Sequence, residues 1–256
     1  MTFSRRDILT MAAAGAAAKA VLDSPLSLAA SPPGIRAVAF DGFPILDPRP
    51  VVALAKELYP DKGDAFFGQF RTRLFEYQWL RALGGRYKDF FAIIDDAHRF
   101  AAAQLGLDAT DEKRARLREA FLALKAWPDV APALEKLKAK DIRLAFLSNM
   151  TASMLNAGIA NSHLDGMFEF VLSTDAIKTY KPDRRAYQLG VDAFKLPKEQ
   201  IAFAAFAGWD VAGATWFGYP TIWINRLDSP PEQLGVEPSA IGSGLDELVR
   251  FVNARA

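Results

Sequence analysis

Four places along the chain carry residue types that could do chemistry together: Asp41, the pair Ser148-Asn149, Lys181 and Asp210. Asp41 closes the run Ala37-Val38-Ala39-Phe40, and Gly42 and Pro44 turn the chain just after it. Such a short apolar run reads as a buried strand of a parallel sheet. A carboxylate at its carboxyl end faces the crevice where open α/β sheets bind ligands. A lysine beside that carboxylate favours its charged form and keeps it a competent nucleophile. Ser148 and the helix start behind it offer a hydroxyl and free backbone N–H groups, suited to an anionic substrate group. Taken singly, each feature has an ordinary explanation: an Asp-Gly turn, a lysine flanking a helix start, a polar strand end. The order carboxylate, hydroxyl and amide, lysine, carboxylate along a parallel sheet is what favours chemistry.

These side chains need a frame to hold them. Strand patterns at 37–40, 142–147, 168–172, 201–205 and 221–224 alternate with helix patterns at 130–138, 151–160, 183–194, 208–217 and 245–252. Alternation of this kind predicts an α/β fold with a Rossmann-like, doubly wound parallel sheet covered on both faces. Between the first strand and the resumption of that rhythm lie helix patterns only, at 51–58, 64–83, 89–105 and 111–124, the last opened by Thr110 as N-cap. In the second of these, Phe66, Phe70, Leu74 and Tyr77 recur at spacings of three and four, and Gly84-Gly85 stops it. An all-helical block inserted after strand one predicts a separate α-helical cap domain at 48–125, with the core domain at 35–47 and 126–256.

The chain has 256 residues, half of them hydrophobic (51%) and a quarter charged (24%), which suits a soluble globular protein with a sizeable core. A net charge of +1 gives no basic excess, so no nucleic-acid partner is expected. With no cysteine, disulfides, thiolate metal sites and cysteine nucleophiles are excluded. With His98 and His163 as the only histidines, a His-rich metal centre is excluded too, and no metal or cofactor is expected.

Residues 1–34 read as a signal and linker. Arg5-Arg6 supplies a twin arginine, a small-residue apolar stretch runs from Met11 to Ala18, and Ser27-Leu28-Ala29 offers a small-x-small cleavage site. The pattern resembles a twin-arginine export signal and predicts a periplasmic protein. The apolar part is too short to span a bilayer, so no membrane association is expected after export.

The order Asp41, Ser148-Asn149, Lys181-Pro182, Asp210 resembles the haloacid dehalogenase superfamily, and within it the type II L-2-haloacid dehalogenases. The likeness is strongest in Phe70-Arg71-Thr72-Arg73-Leu74-Phe75-Glu76-Tyr77-Gln78-Trp79-Leu80-Arg81-Ala82-Leu83, in Tyr180-Lys181-Pro182-Asp183-Arg184-Arg185-Ala186-Tyr187, and from Gly208-Trp209-Asp210 to Trp223-Ile224-Asn225-Arg226. The resemblance implies hydrolytic, metal-independent dehalogenation of small 2-haloalkanoic acids to 2-hydroxy acids. Asp41 matches the nucleophile that forms an aspartyl ester, and Lys181 the lysine that holds it ionised. Asp210 matches the acidic residue that serves the hydrolytic step. Arg71 matches the residue that receives the halide. Ser148, Asn149 and the backbone at Gly42 and Phe43 match contacts to the substrate carboxylate. Phe90, Tyr187 and Trp209 match walls of the pocket. A homodimer is compatible with the same resemblance.

Phosphatases of the superfamily place a second Asp two residues after the nucleophile and hold Mg²⁺ with several carboxylates. Here that position is Phe43, and the fourth motif offers only Asp210. The chain also departs from the dehalogenases. Pro44 and Ile45 stand where Gly-Thr is usual, and Ala205-Phe206-Ala207 lacks the usual Ser and Asn. These departures define a second expectation: a catalytically impaired, dehalogenase-like protein that binds a small carboxylate.

Overall fold

The computed structural model describes residues 34–255. The predicted export signal lies outside the described residues. Six parallel strands form one sheet: β1 (Ala37–Phe40), β2 (Arg143–Ser148), β3 (Phe170–Ser173), β4 (Ile201–Ala205), β5 (Thr221–Ile224) and β6 (Ala240–Gly242). Their spatial order is β3-β2-β1-β4-β5-β6. The first strand in sequence is therefore central, with Phe40 opposite Phe146 on one side and Ala204 on the other. That strand order is the doubly wound Rossmann order, whose ligand crevice opens where the winding reverses, between β1 and β4.

β1 shows why the sheet is buried twice. Val38 and Phe40 face one core, and Ala37 and Ala39 face the other, as the two-residue period of a strand requires. The first face is covered by α6 (Val130–Lys138), α7 (Ala152–Asn161) and α10 (Leu245–Asn253). The second is covered by α8 (Arg184–Phe194) and α9 (Gly208–Phe217). α7 and α8 start where side-chain oxygens hold orphan N–H groups. Thr151 accepts from Met154 at 3.3 Å, and Asp183 from Arg185 at 2.9 Å.

Between β1 and β2 lie a single-turn helix, α1 (Gly42–Ile45), and the block α2 (Arg49–Leu58), α3 (Gly63–Leu83), α4 (Phe90–Gln104) and α5 (Asp111–Leu122). α3 buries Phe66, Phe70 and Leu74 along one stripe and leaves Leu80 and Leu83 exposed at its far end. Asp89 and Thr110 cap α4 and α5, accepting from Ala92 at 2.9 Å and Lys113 at 3.3 Å. Inside this block Tyr59 donates its hydroxyl to the Asp108 carbonyl at 2.8 Å and lies 2.7 Å from His98 Nε2. The Tyr59 hydroxyl proton is thereby committed, so His98 Nε2 carries a proton and its Nδ1, which has no partner, does not. Burial pushes His98 down to about 4.

Expected and observed elements agree in order, with ends moved by two residues at most. α5 stops at Leu122, where a helix to residue 124 was expected. β6, α1 and two short 3₁₀ turns, Thr174–Ile177 and Lys198–Gln200, were not expected. Among the described residues, no helix is long and apolar enough to cross a membrane.

Candidate active site

Asp41 leaves β1 and caps α1, its Oδ2 accepting from the Phe43 N–H at 3.3 Å. Its other oxygen, Oδ1, accepts from Ser148 Oγ at 3.3 Å and from Lys181 Nζ at 2.8 Å. Ser148 reaches it because β2 lies directly beside β1 and runs two residues past Phe146, the partner of Phe40. Gly42 permits this approach: a Cβ there would meet Met150 Sδ at 2.8 Å and Ser148 Oγ at 3.1 Å.

Lys181 is wholly buried, yet its ammonium is paired twice. Nζ lies 2.8 Å from Asp41 Oδ1 and 2.5 Å from Asp210 Oδ2. Burial works against the charged amine, but the carboxylates of Asp210 and Asp41 outweigh it and raise its pKa. Asp210 opens α9 and is pushed up to about 6 by burial, against the pull of Lys181 and with the repulsion of Asp41. It stays ionised at neutral pH. One ammonium between two carboxylates leaves the buried cluster with a net charge of about −1, a surplus that makes each remaining donor matter. Tyr187 supplies one, donating its hydroxyl to Asp210 Oδ1 at 2.7 Å. Gly213 leaves room for that hydroxyl, since a Cβ there would collide with it.

Above this cluster lies a cavity of about 420 Å³. Asp41, Phe43, Ser148 and Asn149 form its floor, and Arg71, Phe90 and Trp209 stand on its walls. The Asn149 amide does more than face the cavity. It donates to Gln78 Oε1 at 2.8 Å, and its oxygen accepts from the Lys181 N–H at 2.8 Å and Thr174 Oγ1 at 3.4 Å. Arg71 sits on α3 with its side chain both on the cavity wall and exposed to solvent. Among the described residues it has no ion pair, so its guanidinium is available to an anion arriving there.

Of the sequence-predicted residues, Asp41, Phe43, Arg71, Phe90, Ser148, Asn149 and Trp209 line one cavity. Gly42 is buried and is not on its lining. Lys181 and Asp210 are behind Asp41 rather than on the wall, with relative exposures of 0% and 1%. Tyr187 requires a correction: it is not a wall. Its register on α8 points it into the second core, where it packs against Phe203 and reaches Asp210.

Other contributors were not anticipated. Gln78 is fully buried and ties α3 to Asn149 at the end of β2. The signal was present: Phe70, Leu74 and Gln78 follow a four-residue spacing, and an amide on an otherwise apolar stripe needs a polar partner. The carbonyls of α1 are also tied down. Trp127 Nε1 donates to Phe43 O at 3.0 Å, Arg226 Nη2 to Pro44 O at 2.8 Å, and Trp127 N to Ile45 O at 3.0 Å. Arg49 and Arg226 each place a guanidinium over the Trp127 ring, 4.5 and 4.7 Å from its centroid. Where Pro44 and Ile45 replace Gly-Thr, the turn is thus fastened from outside through its backbone.

Residues 46–218 match the model of the haloacid dehalogenase-like hydrolases. The chain is 37% identical over 223 residues to the (S)-2-haloacid dehalogenase of Pseudomonas sp. (strain YL), covering 87% of this chain and 96% of that one. The crystal structure of the L-2-haloacid dehalogenase RSc1362 superposes with a TM-score of 0.83 at 39% identity, covering 86% of this chain and 99% of that one. The L-2-haloacid dehalogenase from Xanthobacter autotrophicus with chloropropionic acid covalently bound matches with a TM-score of 0.79 at 29% identity, covering 87% of this chain and all of that one (100%). With the sheet order, the buried Asp41–Lys181–Asp210 cluster and these likenesses together, the chain belongs to the haloacid dehalogenase-like hydrolases, and among them to the (S)-2-haloacid dehalogenase family.

Proposed function

We propose that the protein is a hydrolase of carbon–halide bonds that converts (S)-2-haloalkanoic acids to 2-hydroxy acids through an ester on Asp41. The observation that carries this reading is Lys181 Nζ bonded to Asp41 Oδ1 at 2.8 Å under a cavity with an unpaired arginine on its wall. Oδ1 is held by Lys181 and Ser148, whereas Oδ2 takes only a 3.3 Å bond from Phe43 N–H. Oδ2 is therefore the oxygen with lone pairs to spend on the halogen-bearing carbon. As its bond to that carbon forms, the carbon–halogen bond breaks and halide departs with the electron pair. Arg71 receives the developing negative charge. The α1 turn holds the substrate carboxylate, Ser148 turns its hydroxyl from Asp41 Oδ1 to join it, and Asn149 fixes the end of β2 beside them.

Water then attacks the ester carbonyl of Asp41, the acyl–oxygen bond breaks, and the 2-hydroxy acid leaves. As a proton of that water passes to Lys181 Nζ, Nζ hands one of its own to Asp210 Oδ2, whose pKa of about 6 suits a base working near neutrality. The proton left on the new carboxyl of Asp41 goes to the departing alkoxide, so Asp41 returns as a carboxylate. Asp210 reaches the reacting carboxyl through Lys181 Nζ, and Tyr187 holds its other oxygen. The covalently bound chloropropionic acid of the Xanthobacter relative supports a covalent step. Apart from the departures at Pro44-Ile45 and Ala205-Phe206-Ala207, nothing among the described residues supports binding without turnover over this reading.

The test is incubation with (S)-2-chloropropanoate, with halide and intact mass followed together. Steady halide release is expected, and Asp41→Asn abolishes it. Unchanged release in that variant removes Asp41 as the nucleophile.

Three further assignments belong to the same proposal. The helical block 48–125 acts as a cap over the site. The chain works as a homodimer, which sedimentation checks. Arg5-Arg6 directs export to the periplasm, and cell fractionation of the parent and an Arg5→Lys, Arg6→Lys variant checks that.

A further inference from the structure

We infer that the substrates this site prefers carry a bulky apolar group, an aryl ring above all, on the halogen-bearing carbon. This deepens the dehalogenase reading above and rests on it. The first observation is size. An apolar cavity of about 150 Å³ accommodates benzene, and 2-chloropropanoate has as many non-hydrogen atoms as benzene. The cavity here measures about 420 Å³, so a three-carbon acid would leave most of it unfilled.

The second observation is chemistry. The polar groups of the cavity are Asp41, Ser148, Asn149 and Arg71, together with Asp64 and Ser229, which are both exposed to solvent. The remainder is walled by rings and branched chains, among them Val51, Val52, Phe67, Phe70, Phe75 and Phe121. Ring walls offer an aryl substituent edge and face contacts that an aliphatic wall lacks. An apolar pocket with a few convergent polar groups is how small-molecule sites divide orientation from affinity.

The third observation is extent. The α3 residues on the cavity run from Asp64 to Phe75, about 16 Å along the helix at 1.5 Å per residue. Gly68 lies within this span on the cavity, and a Cβ built there meets nothing within 4 Å. Gly68 is exposed on this lining, so a larger side chain placed there can enter the space beside α3 without first meeting a neighbour.

The chemistry is that of the parent reaction: Asp41 displaces halide, water cleaves the ester, and the ring never reacts. An extra methylene housed in a hydrophobic pocket is worth about tenfold or more in kcat/KM.

The test compares halide release from (S)-2-chloropropanoate, (S)-2-chlorooctanoate and (S)-2-chloro-3-phenylpropanoate by the full chain and by Gly68→Phe. In the parent, kcat/KM for the phenyl acid is expected at least tenfold above that for chloropropanoate and above that for the octanoate. In Gly68→Phe the ratio of phenyl acid to chloropropanoate falls at least tenfold. Turnover of chloropropanoate with a parent ratio at or below one overturns the inference while leaving the dehalogenase reading intact. A higher value for the octanoate overturns the aryl preference. A parent ratio that survives unchanged in a folded Gly68→Phe overturns the placement of the ring beside α3. No halide from any of the three acids overturns both this inference and the reading beneath it.

Discussion

Replacing Lys181 by methionine keeps the length and apolar stem of the side chain and removes only the ammonium. In the folded protein that ammonium lies 2.8 Å from Asp41 and 2.5 Å from Asp210, with no water-exposed surface. At an effective dielectric of about 20, a unit charge pair at that separation interacts by about 6 kcal/mol. Part of this is returned, because burying the ammonium carries its own cost. Breaking one partner of a buried pair leaves a net loss of about 3–5 kcal/mol. Without the cation, the two carboxylates share a proton, as like charges in one dry site must. The buried pair has then lost one of its two negative charges and the ammonium that fixed Asp41 Oδ1 in place, so the nucleophile is no longer made ready. If the transition state loses a comparable interaction, about 4 kcal/mol, kcat/KM at neutral pH falls roughly a thousandfold. The sign of the pH dependence follows. With the cation gone Asp210, whose carboxyl Lys181 had pulled down, titrates above about 6, so the shared proton leaves as pH increases and the rate climbs toward alkaline pH. The assay is initial halide release against pH, with far-UV circular dichroism to confirm folding. A folded Lys181→Met variant within tenfold of the parent at neutral pH, or one with the parent's pH profile, refutes the reasoning.

Three other perturbations address separate parts of the molecule. Tyr187→Phe removes the 2.7 Å hydrogen bond to Asp210, whose pKa then rises further from about 6. A hydrogen bond to a charged group is worth about 1.5–3 kcal/mol, so ester hydrolysis slows about ten- to a hundredfold. Rapid-quench traces should show a halide burst with a mass adduct, and a linear trace without adduct counts against the role given to Tyr187. His98 is held at about 4 against an ordinary 6.5, so below about 6.5 the unfolded chain takes up a proton that the folded chain refuses. Stability therefore drains as pH falls from about 6.5 toward 4, by about 2 kcal/mol between pH 7 and pH 5. Urea titrations of the parent and His98→Gln at the two pH values should differ by that amount. Trp127→Phe leaves the Phe43 carbonyl without its 3.0 Å donor, costing about 1–3 kcal/mol in stability and lowering kcat by loosening the turn that carries Asp41. Equal melting temperatures for Trp127→Phe and the parent would contradict that anchoring.

The parts of the fold legible in the sequence are those whose signal is local. The runs at 37–40, 201–205 and 221–224 are apolar because both faces of a central parallel strand are covered, and that reading needs no tertiary knowledge. β6 escaped because Ala240–Gly242 is three residues long at the edge of the sheet, with no residue fully buried. Asp41, Ser148 and Lys181 were legible through their place at strand ends or helix starts and through a family resemblance. Tyr187 was placed on the right helix and on the wrong side of the site. Whether an aromatic near a carboxylate bounds the cavity or supports the carboxylate from behind depends on which face of α8 meets the sheet. Trp127 carried no local signal, because its indole acts on a carbonyl 84 positions away in the chain. Fastenings made through backbone atoms, like those at Phe43, Pro44 and Ile45, leave little trace in residue type.

The central position of β1 has a consequence for how the molecule comes into being. A ribosome delivers Asp41 early, but its serine neighbour follows 107 positions later and its ammonium 140 positions later. Until then the strand has no flanking partners, and parallel pairing across such separations is slow to form. A nascent chain stopped after β3 would hold the nucleophile without the charge that readies it. The reactive centre thus assembles late in synthesis, and a half-made polypeptide has no competent site with which to alkylate itself.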